Sequence, residues 1–314
     1  MPADYHTHTP LCKHATGEPE AYVAAAIAAG LTEYGVSDHA PCRPEPFDDW
    51  RMLESELPLY FDWIDRAKSA AGENIKVRAG LECDWMKGCE NFIQELTKKN
   101  DWDYLIGSVH YLGSWDFDHP KWLGKWTETD IDTVWKEYWK TYAEMADSGL
   151  FDILAHPDLI KKFAYTPAGD LDRFYDSVIE VIAANGGVIE LNTAGLYKPC
   201  AEAYPAPRFL ELAASAGIGL IISSDAHASS EVARDFPKAR ELAKTRVEPR
   251  SDPATGLQSI SRIGRYHSLR THSAYGVIER VRNVEITSRA NAEAHGRIKA
   301  GDCPSPIRGA PHSG

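Results

Sequence analysis

Short hydrophobic runs alternate with longer segments of helical periodicity along most of the chain. The strand-like runs lie at residues 3–6, 33–37, 75–81, 104–109, 151–155, 188–191 and 218–223. The helical patterns lie at residues 20–29, 53–71, 91–99, 130–147, 170–185, 207–216 and 231–244. Strands that alternate with helices in this way predict βα units around a parallel sheet or barrel. The predicted fold class is therefore α/β.

Two segments interrupt this alternation. A proline-rich stretch at residues 41–50 follows the second strand, and an insertion rich in tryptophan, including residues 115–126, follows the fourth. Long loops on a rigid scaffold usually serve function. We therefore expect both segments to border a functional site.

The composition changes near residue 245. The chain has 314 residues and a net charge of −12, yet its last seventy residues contain ten Arg, one Lys and only six acidic residues. Helical periodicity fades there, and Arg, Ser, Gly and Pro become frequent. We predict one domain over residues 1–244 and a basic, poorly ordered tail over residues 245–314.

Charge and hydropathy exclude several classes of partner. No run approaches the roughly 18 apolar residues that span a bilayer, and the first strand begins too early for a signal peptide. We expect no membrane partner and a cytoplasmic location. The acidic domain argues against a nucleic-acid partner, because phosphate backbones bind Lys and Arg. The six cysteines form no CxxC pair, which predicts reduced thiols, and nothing in the sequence fixes the oligomeric state.

Metal-binding side chains closely follow the predicted strands. The first strand ends in His6 and His8, whose spacing places both imidazoles on one side. The pattern recurs in Ser37-Asp38-His39, Gly80-Leu81-Glu82, Ser108-Val109-His110, Ala155-His156-Pro157 and Ser224-Asp225-Ala226-His227. The carboxyl ends of parallel strands converge on one face of such a fold. We therefore expect these side chains to share one pocket.

The predicted pocket holds more ligands than one ion can use. Seven histidines and two carboxylates exceed the four ligands of a tetrahedral ion, and a carboxylate such as Glu82 can bridge two ions. Imidazole and carboxylate ligands without thiolate suit zinc, iron or manganese. The sequence therefore predicts a site with several divalent ions.

The ordered set of motifs resembles the polymerase and histidinol phosphatase (PHP) family. The resemblance covers about residues 3–244 and rests on Asp4-Tyr5-His6-Thr7-His8-Thr9, Ser37-Asp38-His39, Gly80-Leu81-Glu82, Gly107-Ser108-Val109-His110, His156-Pro157-Asp158 and Ser224-Asp225-Ala226-His227. It implies a distorted seven-stranded βα barrel with three metal ions at the carboxyl ends of its strands. The implied activity is hydrolysis of a small phosphate ester, histidinol phosphate, by a hydroxide that bridges two ions.

The resemblance also implies roles for particular residues. The first ion would be held by His6, His8, Glu82 and Asp225, the second by Glu82, His110 and His156, and the third by His14, His39 and His227. The leaving alcohol would take its proton from metal-bound water or from Asp38. The position of basic residues in the loops, rather than the resemblance, makes Lys161, Lys162, Lys198 and Arg43 the candidate phosphate contacts. An acidic, aromatic lid from residues 46–50 and 115–126 would suit the amine and imidazole of the substrate.

Other functions stay open at the level of sequence. The same metal architecture serves phosphoesterases that act on nucleotides or on other small phosphate esters. An amidohydrolase-like metal hydrolase also carries HxH on its first strand, although the placement of Glu82 and the lack of a metal-bridging lysine argue against it. A third alternative is a non-catalytic metal-binding protein whose basic tail binds a partner.

Overall fold

Seven parallel strands form the central sheet of the computed structural model, which describes residues 2–247. Together with a separate two-stranded hairpin, the described residues contain the strands β1 (Ala3–Asp4), β2 (Glu33–Val36), β3 (Lys76–Asp84), β4 (Tyr104–Ser108), β5 (Tyr111–Leu112), β6 (Trp115–Asp116), β7 (Ile153–Leu154), β8 (Val188–Asn192) and β9 (Gly219–Ser223). The helices are α1 (Pro19–Ala28), α2 (Leu57–Ala71), α3 (Glu90–Leu96), α4 (Leu123–Trp126), α5 (Ile131–Asp147), α6 (Asp172–Ala184), α7 (Pro207–Ser215) and α8 (Phe236–Val247). The order within the sheet is β1-β2-β3-β4-β7-β8-β9. This nearly closed barrel with surrounding helices confirms the predicted fold class.

The differences from the predicted elements lie in the insertion and at the last helix. The insertion contains an antiparallel β5–β6 hairpin and the short helix α4, which periodicity did not indicate. The predicted domain boundary at residue 244 falls within α8, which ends at Val247. Residues 248–314, to which most of the tail prediction applies, lie outside the described residues. Among residues 2–247, no helix has the length and hydropathy needed to cross a bilayer.

Polar contacts between β1 and the segment after β9 join the two ends of the sheet. The Ala226 N–H donates to the His6 carbonyl at 3.2 Å, and the His8 N–H donates to the Ala226 carbonyl at 2.9 Å. The buried Asp4 carboxylate accepts a hydrogen bond from the Ser224 N–H at 3.0 Å. The polar residues that follow β1 and β9 therefore become neighbours.

One tyrosine fills the barrel interior beside the first three strands. The Tyr104 hydroxyl donates to the Tyr5 carbonyl at 2.5 Å, and the residue is only 1% exposed. Gly35 and Gly80 leave room for this side chain, because a Cβ built on Gly80 would lie 2.5 Å from the Tyr104 ring. These glycines are therefore needed for the close approach of a side chain.

Aromatic residues from α5 and the insertion form much of the core outside the sheet. The buried residues of α5 follow helical spacing and are Val134, Trp135, Tyr138, Trp139, Tyr142, Met145 and Ala146. Trp115 and Trp126 are also buried, and their rings lie 5.0 Å apart. These two tryptophans are packing residues of the core.

Candidate metal centre

The nine predicted ligands lie together at the carboxyl edge of the barrel. They are His6 and His8 after β1, His14 in the following loop, His39 after β2, Glu82 in β3, His110 after β4, His156 after β7, and Asp225 and His227 after β9. Their ligand atoms form overlapping groups within 4.8 Å, namely His6-His8-Glu82, His6-His156-Asp225, His39-Glu82-His110 and His14-His39-His227. The fold thus converts six separate strand ends into one cluster.

Glu82 occupies the middle of this cluster. Its Oε1 atom lies 3.0 Å from His156 Nε2 and 3.6 Å from His110 Nε2. Its Oε2 atom lies 2.7 Å from His39 Nδ1 and 3.4 Å from His6 Nε2. Glu82 is 1% exposed, so both oxygens are surrounded by imidazoles rather than by water. This geometry suits a carboxylate that bridges two ions.

The three predicted ligand sets are only partly separate in space. His14, His39 and His227 form a group of their own, as the third set requires. His39 also contacts Glu82, however, and therefore lies between that group and the predicted second set. Asp225 joins the first set through His8, with 2.9 Å between Oδ1 and Nε2.

Several buried atoms of the cluster have no hydrogen-bond partner among the described residues. They are His6 Nε2, His39 Nδ1, Glu82 Oε2, His156 Nδ1 and His227 Nε2. His39 Nδ1 and Glu82 Oε2 lie 2.7 Å apart, but they are not aligned for a hydrogen bond. Buried polar atoms in folded proteins almost always have a partner. A divalent cation would supply one, because imidazole nitrogen and carboxylate oxygen are its usual ligands in proteins. The residues therefore fit such an ion.

Burial and charge set the protonation of the cluster. Burial alone would raise the pKa of Glu82, but the imidazoles around it hold that pKa well below its usual range. Burial lowers the pKa of His39 and of His227 well below the ordinary histidine value. Metal ligands must be deprotonated, so an ionised Glu82 and neutral His39 and His227 suit that role.

Glu190 and Asn192 support the cluster from β8. Glu190 Oε1 lies 2.7 Å from His6 Nδ1, and Oε2 accepts the His156 N–H at 2.9 Å. The Asn192 amide donates to Glu190 Oε2 at 3.0 Å and to Asp225 Oδ2 at 3.2 Å. These two residues hold metal-binding side chains in place through hydrogen bonds from the neighbouring strand.

Asp84 and Arg51 are supporting residues that the sequence analysis missed. Asp84 Oδ1 lies 2.7 Å from His110 Nδ1, and Arg51 donates to Asp84 Oδ2 at 2.8 Å and to Asp48 at 2.6 Å. Asp84 stands two positions after Glu82 in the same strand and therefore on the same side of the sheet. The spacing of Asp84 from Glu82 could have identified Asp84 from the sequence. Arg51 lies at the end of the long loop, and no sequence pattern connects it with the cluster.

Asp38 does not occupy the position of a proton donor to substrate. Its carboxylate is fully buried, accepts the His39 N–H at 2.8 Å and a hydrogen bond from the Thr9 hydroxyl, and lies 3.3 Å from His8 Nδ1. It does not line either cavity beside the cluster. The structure therefore corrects the assignment of Asp38 as leaving-group acid and makes it a positioning residue for His8.

A cysteine also approaches the cluster. The Cys12 Sγ atom lies within 4.8 Å of a ring nitrogen of His8 and of His227. The position of Cys12 in the sequence did not indicate this proximity. Burial raises the pKa of this thiol far above its ordinary value. Cys12 is thus a sulfur neighbour of the cluster and not one of its nine predicted ligands.

Two adjoining cavities open from the cluster. The inner cavity, of about 300 Å³, is lined by Glu82, by histidines of the cluster from His14 to His227, and by three basic residues. The basic residues are Lys162, Lys198 and Arg234. The outer cavity, of about 350 Å³, is lined by Lys13, His14, His39, Asp49, Trp50, His110, Asp116, Asp118, His119, Pro120 and Lys162. A bound molecule can therefore extend from the cluster past Lys162 into the outer cavity.

The four predicted phosphate contacts separate into two pairs. Lys162 and Lys198 line the inner cavity. Lys161 instead turns away to Glu202 and Asp158, at 2.6 and 3.1 Å, and is buried there. Arg43 forms exposed ion pairs on the surface, outside both cavities. Lys161 and Arg43 are therefore corrected to structural roles, because carboxylates elsewhere hold their charges.

Arg234 is a cavity residue that the sequence analysis missed. It lines the inner cavity, and its guanidinium carbon lies 3.7 Å from the centre of the Tyr197 ring. Its Nε atom is buried without a partner among the described residues, while Nη1 donates to Glu231 at 3.0 Å. Its place beyond the last motif gave no signal in the sequence.

The fold and the site define a class of protein, the metal-dependent hydrolases built on a parallel βα barrel. The model of the PHP domain matches residues 4–194. The chain belongs to the PHP family, as the motifs indicated, and its cluster is a divalent-metal site.

Relatives of known name agree with this assignment. The chain is 42% identical over 238 residues to the "Probable histidinol-phosphatase" of Deinococcus radiodurans, covering 75% of this chain and 90% of that protein. It is 27% identical to the histidinol-phosphatase of Bacillus subtilis, covering 73% of this chain and 94% of that protein.

A solved structure shows the same fold. The histidinol phosphate phosphatase of Lactococcus lactis, crystallised with zinc, L-histidinol and phosphate, superposes with a TM-score of 0.65 at 22% identity. The match covers 78% of this chain and 93% of that one. At this identity the likeness extends to the barrel alone.

Proposed function

We propose that the protein hydrolyses L-histidinol phosphate to L-histidinol and phosphate, a reaction of histidine biosynthesis, in the cytoplasm. The observation that carries the proposal is the buried cluster of seven histidines and two carboxylates beside a basic cavity. The names of the relatives, and the L-histidinol and phosphate in the Lactococcus lactis structure, support this substrate.

We assign the metal ligands as the sequence analysis did. Three divalent ions would be held by His6, His8, Glu82 and Asp225, by Glu82, His110 and His156, and by His14, His39 and His227; the contacts of Glu82 with His110 and His156, of Asp225 with His8, and the grouping of the third set support this assignment. Zinc, manganese and iron all suit this donor set. Bound ions supply Lewis acidity toward the phosphoryl group and lower the pKa of water to near neutrality.

The basic residues of the inner cavity bind and orient the phosphate. Lys162, Lys198 and Arg234 surround the space next to the cluster, so their charges offset those of the phosphoryl oxygens. The Arg234 Nε–H, which has no partner among residues 2–247, is a donor available to a phosphate oxygen. The enzyme therefore clamps the ester between cations of the chain and the metal centre.

Phosphate release from L-histidinol phosphate tests this function directly. The assay compares this ester with an aryl phosphate and a nucleotide, after separate reconstitution with manganese, zinc and iron. We expect a strong preference for L-histidinol phosphate, lost in His110→Ala. Turnover of the nucleotide or aryl ester alone would contradict the assigned substrate but would leave the assigned phosphoesterase chemistry in place. No turnover with metal bound would contradict both assignments.

A further inference from the structure

Two carboxylates lie side by side where the insertion borders the outer cavity. Asp116 ends β6 and Asp118 follows two residues later; both line the outer cavity, and the charge of Asp118 acts on the Asp116 carboxyl. Asp116 is 7% exposed, and its Oδ2 atom accepts the Trp50 Nε1–H at 3.0 Å. No donor among the described residues reaches its buried Oδ1 atom.

The cations around this pair do not balance it. Lys162 Nζ lies 2.8 Å from Asp118 Oδ2, so that lysine is paired with Asp118. Asp116 forms no ion pair of its own within residues 2–247. Two neighbouring carboxylates resist simultaneous ionisation unless a cation stabilises both. The pair therefore has a place for one further positive group.

The positions of Asp116 and Asp118 along the two cavities indicate which part of a bound substrate they would contact. Asp118 lines both the inner and the outer cavity, whereas Asp116 lines only the outer one. Asp118 therefore lies on the wall that the two cavities share, beside any molecule that extends from the histidine cluster toward His119. In L-histidinol phosphate the ammonium group stands on the carbon next to the ester CH₂, between the phosphate and the imidazole.

We infer that Asp116 and Asp118 bind the ammonium group of the substrate and thereby select an amino alcohol as the leaving group. The inference rests on the proposed function. The outer cavity, with the Trp50 indole on one side, receives the imidazole. A hard divalent ion fits this place less well, since it requires about six oxygen ligands and the pair already holds Lys162.

The test compares two esters that differ only in the amino group. They are L-histidinol phosphate and imidazolylpropyl phosphate, and selectivity is the ratio of their kcat/KM values. A charge-assisted hydrogen bond contributes about 1.5–3 kcal/mol, so we expect the wild type to prefer the amine at least ~10-fold. In Asp116→Asn the ratio should fall about 10-fold, because the amide keeps the Trp50 contact but loses the charge.

Two further variants make the result specific. Asp118→Asn should reduce the ratio in the same direction, whereas Glu128→Gln, an exposed carboxylate of the same insertion outside both cavities, should keep it. Metal content and thermal midpoint establish that each variant is folded and loaded. L-histidinol should also inhibit aryl phosphate hydrolysis about 10-fold more weakly in Asp116→Asn.

The outcomes separate this inference from the proposed function. If the wild type hydrolyses L-histidinol phosphate and both Asp variants keep its selectivity, the inference is wrong and the function stands. An equal loss for both esters also overturns it, since the carboxylates would then serve the metal centre. If the wild type hydrolyses neither imidazole ester, the function and the inference fail together.

Discussion

Single carboxylates fix the orientation of three imidazoles in the metal centre. The Nδ1 atoms of His6, His8 and His110 face Glu190, Asp38 and Asp84, at 2.7, 3.3 and 2.7 Å. In each ring the Nε2 atom is then directed to the centre. A carboxylate on one ring nitrogen sets the tautomer and raises the basicity of the other.

Replacing one of these carboxylates should weaken the centre without removing a ligand. In Glu190→Gln we expect the metal affinity or kcat to fall about 10–100-fold, because the charged partner of His6 becomes neutral. Metal titration and steady-state kinetics measure the two effects. Glu128→Gln is the matched control, and wild-type affinity and kcat in Glu190→Gln would contradict the role.

Arg234 should contribute mainly to phosphate binding. Truncation in Arg234→Ala removes a charged donor from the inner cavity, which corresponds to a fall in kcat/KM of about 10–100-fold. Arg43→Ala is the control, because its guanidinium pairs with Glu54 and Glu95 on the surface. Equal kinetics in the two variants would show that Arg234 does not contact the substrate.

The Asp116 carboxyl gives stability a dependence on pH. Burial, and after it the charge of Asp118, raises the pKa of Asp116 to about 7. Burial would also raise the pKa of Asp118, but the charges of Lys162 and His110 outweigh burial and lower that pKa to about 2. In the unfolded chain Asp116 titrates near 4. Between these values the native state holds a proton that the unfolded state releases, so stability decreases as pH rises.

Urea unfolding of the wild type and Asp116→Asn measures this dependence. The free energy of unfolding of the wild type should decline relative to the variant between about pH 4 and pH 7, and the difference should be constant above that range. A difference that grows in favour of the wild type with pH would mean that the carboxyl ionises readily in the folded protein.

At the scale of elements, the strands bring their end residues together because their interior side chains fit closely. Gly80 lies in β3 two residues before Glu82, and its hydrogen faces the Tyr104 ring from β4. The packing that sets the spacing of these strands therefore lies directly beneath the metal centre. The same contact leaves no room for a side chain at position 80.

Gly80→Ala should destabilise the barrel. The added methyl would meet the Tyr104 ring at 2.5 Å, and overpacking of this kind costs about 1–3 kcal/mol. Gly124→Ala is the control, because nothing lies within 4 Å of its added Cβ and the residue is in helix α4. Chemical denaturation compares the two free energies, and equal stability would mean that Tyr104 moves aside at no cost.

At the scale of the whole molecule, the metal centre joins the two ends of the barrel. Its residues follow β1 and β9, which meet through Ala226, as well as four strands between them. Ions that bind only this folded arrangement stabilise it by mass action, by about 2.7 kcal/mol at a hundred times the dissociation constant.

Removal of metal should therefore lower the thermal midpoint together with the activity. For a protein of this size the shift corresponds to about 5–10 °C, and addition of manganese, zinc or iron should restore both properties. Calorimetry before and after chelation measures the shift, with metal content determined in parallel. An unchanged midpoint after complete removal would contradict a role of the ions in closing the barrel.

The sequence alone determined the parallel βα order and the set of metal-binding residues. Strand periodicity and histidines at strand ends are local signals, and the rule that carboxyl ends converge turns them into one site. Only the tertiary structure decided how charges are paired. Asp38 supports His8, Lys161 pairs with Glu202, and Lys162 pairs with Asp118, because these contacts join residues from different elements that no local pattern connects.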